Sequence, residues 1–134
     1  MENDVTISSI TGRKWILEVP MDFGAWGEEV ACRYLKRQGY KILDRNFRCK
    51  RGEVDIVATK GKTLCFVEVK SRQGLSHGFP SEAVTLEKQR HLRNAAMYYL
   101  HTHPGENKEL LRMDVIEVLK IQGKTFVRHI EDAF

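Results

Sequence analysis

Two short runs of the chain alternate as the strands of a β-hairpin must, and charge interrupts both of them. Gly52-Glu53-Val54-Asp55-Ile56-Val57-Ala58 is followed, after Lys60-Gly61-Lys62, by Leu64-Cys65-Phe66-Val67-Glu68-Val69-Lys70. Apolar runs separated by a turn signal predict paired strands. Successive side chains of a strand point to opposite faces, so Glu53, Asp55 and Val57 share one face and Val54 and Ile56 the other. By the same rule Phe66, Glu68 and Lys70 oppose Cys65, Val67 and Val69. With Val54, Ile56, Val67 and Val69 as core, Asp55, Glu68 and Lys70 gather on the opposite face.

The pattern before and after the hairpin fills in the architecture. From about Gly24 to Gln38 the period is helical: Ala31, Tyr34 and Leu35 fall on one side, Glu29, Arg33, Lys36 and Arg37 on the other, and Gly39 supplies the stop. Glu28 breaks that partition. At 100° per residue it falls nearly in line with Leu35 on the apolar face, where a carboxylate must be paired, hydrogen-bonded or bound to metal. Its neighbour Glu29 faces Arg33 as an ordinary i, i+4 surface pair. Tyr40 to Arg48 reads as a strand leading into the hairpin, its end obscured by Asp44-Arg45. Ser71 to Pro80, with Gly74, Ser76, Gly78 and Pro80, reads as a loop that starts directly after Lys70. A second helix runs from Glu82 or Thr85 to His101 on a stripe of Leu92, Ala95, Ala96 and Tyr99, which Lys88 extends by one turn. Leu110–Leu119 and Thr125–Ile130, joined through Gln122-Gly123-Lys124, are two further strands. Asp114, inside the first of these, is a partner for Arg112 or a support for the site from behind.

The predicted fold is therefore α/β: a mixed sheet of about five strands flanked by helices, in the order α-β-β-β-α-β-β. Residues 22–134 form one domain, and residues 1–21 are a mobile extension or a short added strand.

Composition narrows the function classes. At 134 residues the chain can bury a core without disulfides or a structural metal. Its three cysteines, Cys32, Cys49 and Cys65, lack metal-ligand spacing and read as reduced thiols of a cytoplasmic protein. No apolar run is long enough to cross a membrane, and the first twenty residues lack the apolar segment of a secretory signal. The net charge is only +4, but Arg33 to Arg51 holds eight basic residues against one acid, Asp44, and Lys88, Arg90 and Arg93 form a second cluster opposed only by Glu87. Charge concentrated in this way beside the hairpin suits a polyphosphate, although a solvated surface explains a basic run equally well. No Gly-rich phosphate loop and no Ser/His/Asp or Cys/His pattern is present. Two carboxylates and an ammonium on rigid backbone suit a hydrated Mg²⁺, which takes oxygen ligands and keeps several waters.

Glu28, Asp55 and Glu68-Val69-Lys70 resemble the signature of the PD-(D/E)XK nuclease superfamily. Glu68 follows Asp55 by 13 positions, a spacing similar to that of archaeal Holliday-junction resolvases, and Lys70-Ser71-Arg72 continues the likeness. Val54 stands where the superfamily's name has proline. More closely, the blocks Gly27-Glu28, Gly39-Tyr40, Arg45-Asn46, Gly52-Glu53-Val54-Asp55, Phe66-Val67-Glu68-Val69-Lys70, Glu82-Ala83-Val84 and Arg112-Met113-Asp114-Val115-Ile116 resemble the bacterial YraN family, described as endonuclease-like, over roughly residues 24–120.

The resemblance implies a restriction-endonuclease-like core and a probe for its activity. Asp55, Glu68 and the Val69 carbonyl would hold Mg²⁺, with Mn²⁺ as a substitute and Glu28 assisting through a water. Lys70 would orient the attacking water or stabilise the transition state. Arg33, Lys36, Lys41, Arg48 and Arg51, with Arg72 and Lys88, would contact phosphates, giving affinity with little sequence reading. The implied partner is nucleic acid, DNA ahead of RNA, with no membrane and a homodimer as the resolvase-like assembly. Two other readings stay open: a nucleic-acid binder of the same fold without turnover, and an interaction protein in which Lys70 simply pairs with Glu68 or Asp55.

Overall fold

The computed structural model describes residues 5–10 by their backbone, and residues 22–73 and 84–134 in full. The expected extension outside residues 5–10, and the Gly-rich loop from Gly74 to Pro80, lie outside the described residues. Helix α1 (Phe23–Arg37) starts where Asp22 accepts the Ala25 amide at 2.7 Å, and it ends before Gly39, whose φ of +93° an L side chain rarely adopts. Helix α2 (Leu86–Thr102) starts where Thr85 accepts the Lys88 amide at 3.1 Å.

The strands are β1 (Val5–Ile10), β2 (Lys41–Cys49), β3 (Gly52–Lys60), β4 (Thr63–Gln73), β5 (Leu110–Ile121) and β6 (Lys124–Ile130). They form one sheet in the order β1-β6-β5-β4-β3-β2. Only β4 and β5 run parallel, as a pair joined through a helix must; the other pairs are antiparallel. The expected mixed sheet of five strands and two helices is present in the expected order, and β1 adds an edge strand against β6.

Two details of the strands differ from the pattern reading. The strand does not give way to a loop at Ser71, because Ser71, Arg72 and Gln73 continue the parallel ladder opposite Val118, Leu119 and Lys120. Asp44-Arg45 does not end β2 either. The register shifts between Ile42 and Asp44, a bulge that absorbs the irregular residues and lets pairing resume.

Each face of the sheet is covered by one helix. Val30, Ala31, Tyr34 and Leu35 of α1 pack on Ile56, Ala58, Cys65, Val67, Ile116 and Val118. Leu92, Ala95, Ala96 and Tyr99 of α2 pack on Val54, Val57, Leu64 and Phe66. Val54 and Ile56 therefore do not share a face as the alternation predicts: Val54 lies with Val57 on the α2 side and Ile56 on the α1 side. The chain turns over between Val54 and Ile56, at Asp55.

A polar network ties α1 to the far end of the sheet. Asp114 is fully buried and takes both Arg112 (Nε at 2.9 Å, Nη2 at 3.0 Å) and His129 Nε2 at 2.6 Å, while His129 Nδ1 meets the Tyr34 hydroxyl at 3.0 Å. The Asp132 amide donates to the same carboxylate at 2.9 Å. Asp114 is thus the partner of Arg112 and part of the framework. Removing it strands the buried His129 imidazole and takes the main partner from the half-buried Arg112, so Asp114→Ala should lower unfolding stability by about 3 kcal/mol. Urea denaturation measures this, and a loss under about 1 kcal/mol would show that the network contributes little.

Candidate functional site

The site is a notch where two strands part. Strands β3 and β4 pair from Lys60 opposite Thr63 to Ile56 opposite Val67, and the ladder stops there. Beyond that point β4 continues beside β5 as far as Gln73. Asp55, the first residue past the last pair, turns sideways and accepts the Val69 amide on Oδ2 at 2.8 Å, in the place of a ladder bond. The N–H and C=O of one residue in an extended strand project to the same side, so the Val69 carbonyl opens toward Asp55 as well. Glu68 lies beside this bond with its side chain almost wholly buried. Lys70, one turn of the pleat further along the same face, holds Nζ 3.6 Å from Glu68 Oε1.

Each helix reaches the notch over a glycine. A Cβ on Gly27 would lie 1.7 Å from Ser71 Oγ, so α1 can press on β4 just past Lys70 only with hydrogen at that position. This contact brings Glu28, the next residue, to the notch from the α1 face. A Cβ on Gly52 would lie 2.2 Å from the His91 carbonyl oxygen, so the start of β3 touches the backbone of α2. One turn earlier on α2, Lys88 places Nζ 3.5 Å from Glu68 Oε1 and 3.7 Å from Glu53 Oε1. Glu28 and Lys88 thus arrive from opposite faces of the sheet.

The charges in the notch are frustrated. Burial, with the nearby Asp55 charge, pushes the Glu68 carboxyl up to about 7 despite Lys88 and Lys70. Burial also raises Asp55, and the Val69 amide and Lys88 hold part of that rise back. Glu28 is raised by burial and by Asp55. Burial alone would lower Lys88, but Glu68, Glu53 and Asp55 together hold its ammonium above the ordinary range. Oε1 of Glu28 and Oε2 of Glu68 are buried and accept no hydrogen bond. Adjacent carboxylates can be reconciled by a shared proton or by a cation.

These residues fit a divalent cation of the hard, oxygen-seeking kind. Asp55, Glu68 and the Val69 carbonyl are the oxygens that would hold it, with Glu28 at hand from the α1 side. Among the described residues no three acidic, histidine or cysteine side chains close around one point. Mg²⁺, which takes one or two carboxylates and keeps its waters, would not require such a closed cage.

The structure brings Glu28, Asp55, Glu68, Val69, Lys70 and Lys88 together. Arg48 and Arg51 lie beside them, in a cleft between the β2–β3 turn and α2. Other predicted phosphate contacts are elsewhere. Lys36 is about 12 Å along α1 from Glu28, and Lys41 pairs with Thr59 at the opposite end of β3. Arg33 pairs with Glu29 at 3.2 Å as expected, and Arg45, missed from the pattern, also holds Glu29 at 3.0 Å. Arg72 is turned onto the fully buried Glu117 at 2.8 Å, which Arg128 approaches from β6 at 3.6 Å. That triad depends on which strands are neighbours, so no spacing in the chain signals it. His103, just past the end of α2, stacks on Tyr99 with ring centroids 4.0 Å apart.

The family model described as "Uncharacterised protein family UPF0102" matches residues 27–118, from the glycine under α1 to β5. A protein named "UPF0102 protein" in Caldicellulosiruptor saccharolyticus is 53% identical over 97 residues, 72% of this chain and 81% of its own. One in Caldicellulosiruptor bescii is 46% identical over 83% of this chain and 95% of its own, and one in Syntrophotalea carbinolica 47% identical over 85% and 92%. No helix among the described residues is long and apolar enough to cross a membrane.

The raised Glu68 carboxyl has a measurable consequence. Folding strengthens its hold on a proton, so its contribution to stability is complete below its unfolded pKa of 4.5 and is lost as pH rises through about 7. In EDTA, Glu68→Gln should therefore be more stable than wild type at pH 8, on the order of 2 kcal/mol, with the difference shrinking toward pH 4.5. Thermal denaturation of both proteins across that range measures it. A difference independent of pH would mean that Glu68 ionises as an exposed carboxylate does.

Proposed function

This chain belongs to the uncharacterised protein family UPF0102, and on the geometry of the notch we propose that it is a metal-dependent nuclease cutting phosphodiester bonds of nucleic acid, DNA ahead of RNA. The observation that carries the reading is the pair of buried acceptors without donors, Glu28 Oε1 and Glu68 Oε2, beside Asp55. A shared proton would relieve one carboxylate of the Asp55–Glu68 pair, whereas a divalent cation would serve both and Glu28 as well.

Asp55, Glu68 and the Val69 carbonyl would hold the ion. When bound, Mg²⁺ polarises a phosphate and makes a coordinated water more acidic. The Asp55–Val69 hydrogen bond fixes the carboxylate relative to the strand that carries Glu68, so both ligands are set before substrate arrives. Lys70, partly open to solvent, puts positive charge beside Glu68, where it can orient a water and stabilise negative charge developing on phosphorus-bound oxygen. Lys88 balances the same carboxylates from the α2 side. Lys70 and Lys88 both near Glu68 would also suit a purely structural ion pair, the second reading, but Glu28 Oε1 and Glu68 Oε2 accept no hydrogen bond from either lysine.

Branched, flapped and linear DNA incubated with Mg²⁺ or Mn²⁺ tests the proposal. Wild type should cut at least one of these, and Asp55→Asn or Lys70→Ala should slow it by about 100-fold or more. Calorimetry should detect Mn²⁺ binding that Glu68→Gln abolishes. A wild type that cuts nothing, or variants that cut as fast as it does, would refute nuclease activity; ion binding absent from wild type would refute the metal site.

A further inference from the structure

Strand β2 turns over where β3 does. Arg45 pairs with Ile56 and Phe47 with Val54, so Asn46 stands across from Asp55. Residues two apart in a regular strand share a face, yet Arg45 and Phe47 do not. Arg45 reaches the α1 side, where Nη1 donates to Glu29 at 3.0 Å. Phe47 packs on the α2 side, edge-on to the Tyr99 ring with centroids 5.0 Å apart. The half-turn between them is made at Asn46, whose φ of +54° is left-handed. After glycine, asparagine is among the residues that adopt this conformation with least strain.

The two facing residues then divide the work of the notch. Asp55 is held from β4 by the Val69 amide at 2.8 Å, and Glu28 is held from β2 by the Asn46 side chain, whose amide donates to its carboxylate. Both donors are neutral, so each fixes the direction of an acid without cancelling its charge. Arg45, the cation one residue earlier, is engaged instead by Glu29. Glu28 keeps Oε1 buried and without a hydrogen bond.

We propose that Asn46 is a positioning residue of the candidate metal site: by holding Glu28 from β2 it keeps the second oxygen of that side chain available to the ion that Asp55 and Glu68 would hold. This assignment rests on the metal-dependent nuclease reading and adds to it how Glu28 is kept in place. A glutamate side chain has several rotatable bonds, and ordering it only when an ion arrives weakens binding; a donor already in place removes that penalty. If the turning-over of β2 were the whole role of position 46, glycine would serve at +54° without strain. The hydrogen bond to Glu28 is what the asparagine side chain adds.

Asn46→Gly separates the two roles, because glycine keeps the left-handed backbone and deletes the amide. Calorimetry with Mn²⁺ on wild type, Asn46→Gly, Glu28→Gln and the double variant forms a thermodynamic cycle. Asn46→Gly, with unchanged circular dichroism, should bind Mn²⁺ about tenfold more weakly than wild type, the scale on which groups that orient metal ligands act. Glu28→Gln should weaken binding at least as much, and adding Asn46→Gly to it should cause no further loss. A folded Asn46→Gly or a Glu28→Gln that binds as wild type does, or losses that add in the double variant, would overturn the inference and leave the metal site standing. The expected coupling in a protein that cuts no DNA would support the inference and overturn nuclease activity alone, and a wild type that binds no Mn²⁺ would overturn both.

Discussion

The hydrogen bond from the Val69 amide to Asp55 sits where the sheet is forced to choose between neighbours. Strand β4 cannot keep β3 and β5 equally close along its whole length, since β5 follows it to Gln73 and β3 leaves at Ile56. Parting strands expose amides and carbonyls, and buried backbone groups need partners. Asp55 provides one for Val69, at 2.8 Å. The same bond fixes a carboxylate at the head of the notch, at the point where the chain turns over between Val54 and Ile56. Without it the fork would hold an unsatisfied amide and a mobile acid, and Glu68 would have no fixed neighbour.

Placing carboxylates there has a cost that the surroundings reduce but do not remove. Lys70 and Lys88 both approach Oε1 of Glu68, leaving Oε2 without a donor. The framework network at Asp114 shows what complete neutralisation looks like in this same sheet: four donors converge on one carboxylate, which stays below the usual range even though burial works against it. The two buried acids differ in what surrounds them, not in type. Asp114 is saturated by its own chain, and Glu68 is left with capacity for something else. Raised carboxyls in a cleft mark functional sites more often than structural ones.

Much of this was legible from pattern, and the failures have physical reasons. Alternation put Glu68 and Lys70 on one face because β4 pairs regularly on the β5 side throughout. It failed at Val54 because period 2 presumes a continuous ladder, and the ladder ends one residue away. Helical phase singled out Glu28, since 100° per residue holds within α1 whatever the sheet does. Reach could not be read in the same way. Lys36 shares α1 with Glu28 but lies two turns further on, and Lys41 is separated from Arg48 by the length of β2. Lys50 and Arg90 are far apart in the chain, and only the contact of Gly52 with the α2 backbone brings them to one surface. The pattern leaves Arg72 open to phosphate because its partner Glu117 belongs to a strand some 45 positions later.

The direction of both helices completes the logic of the notch. Lys88 lies in the first turn of α2 and Glu28 in the second turn of α1, so both helices begin at the parted strands and run away from them. The partial positive charge at each helix start falls where Glu28, Glu53, Asp55 and Glu68 concentrate negative charge. Two macrodipoles and two lysines make an acidic cluster tolerable, and the same field would favour an anionic substrate beside it. A structural salt bridge would need only local pairing of charges. Two helices aligned on one point, each seated over a glycine that brings it close, organise the fold around that point instead.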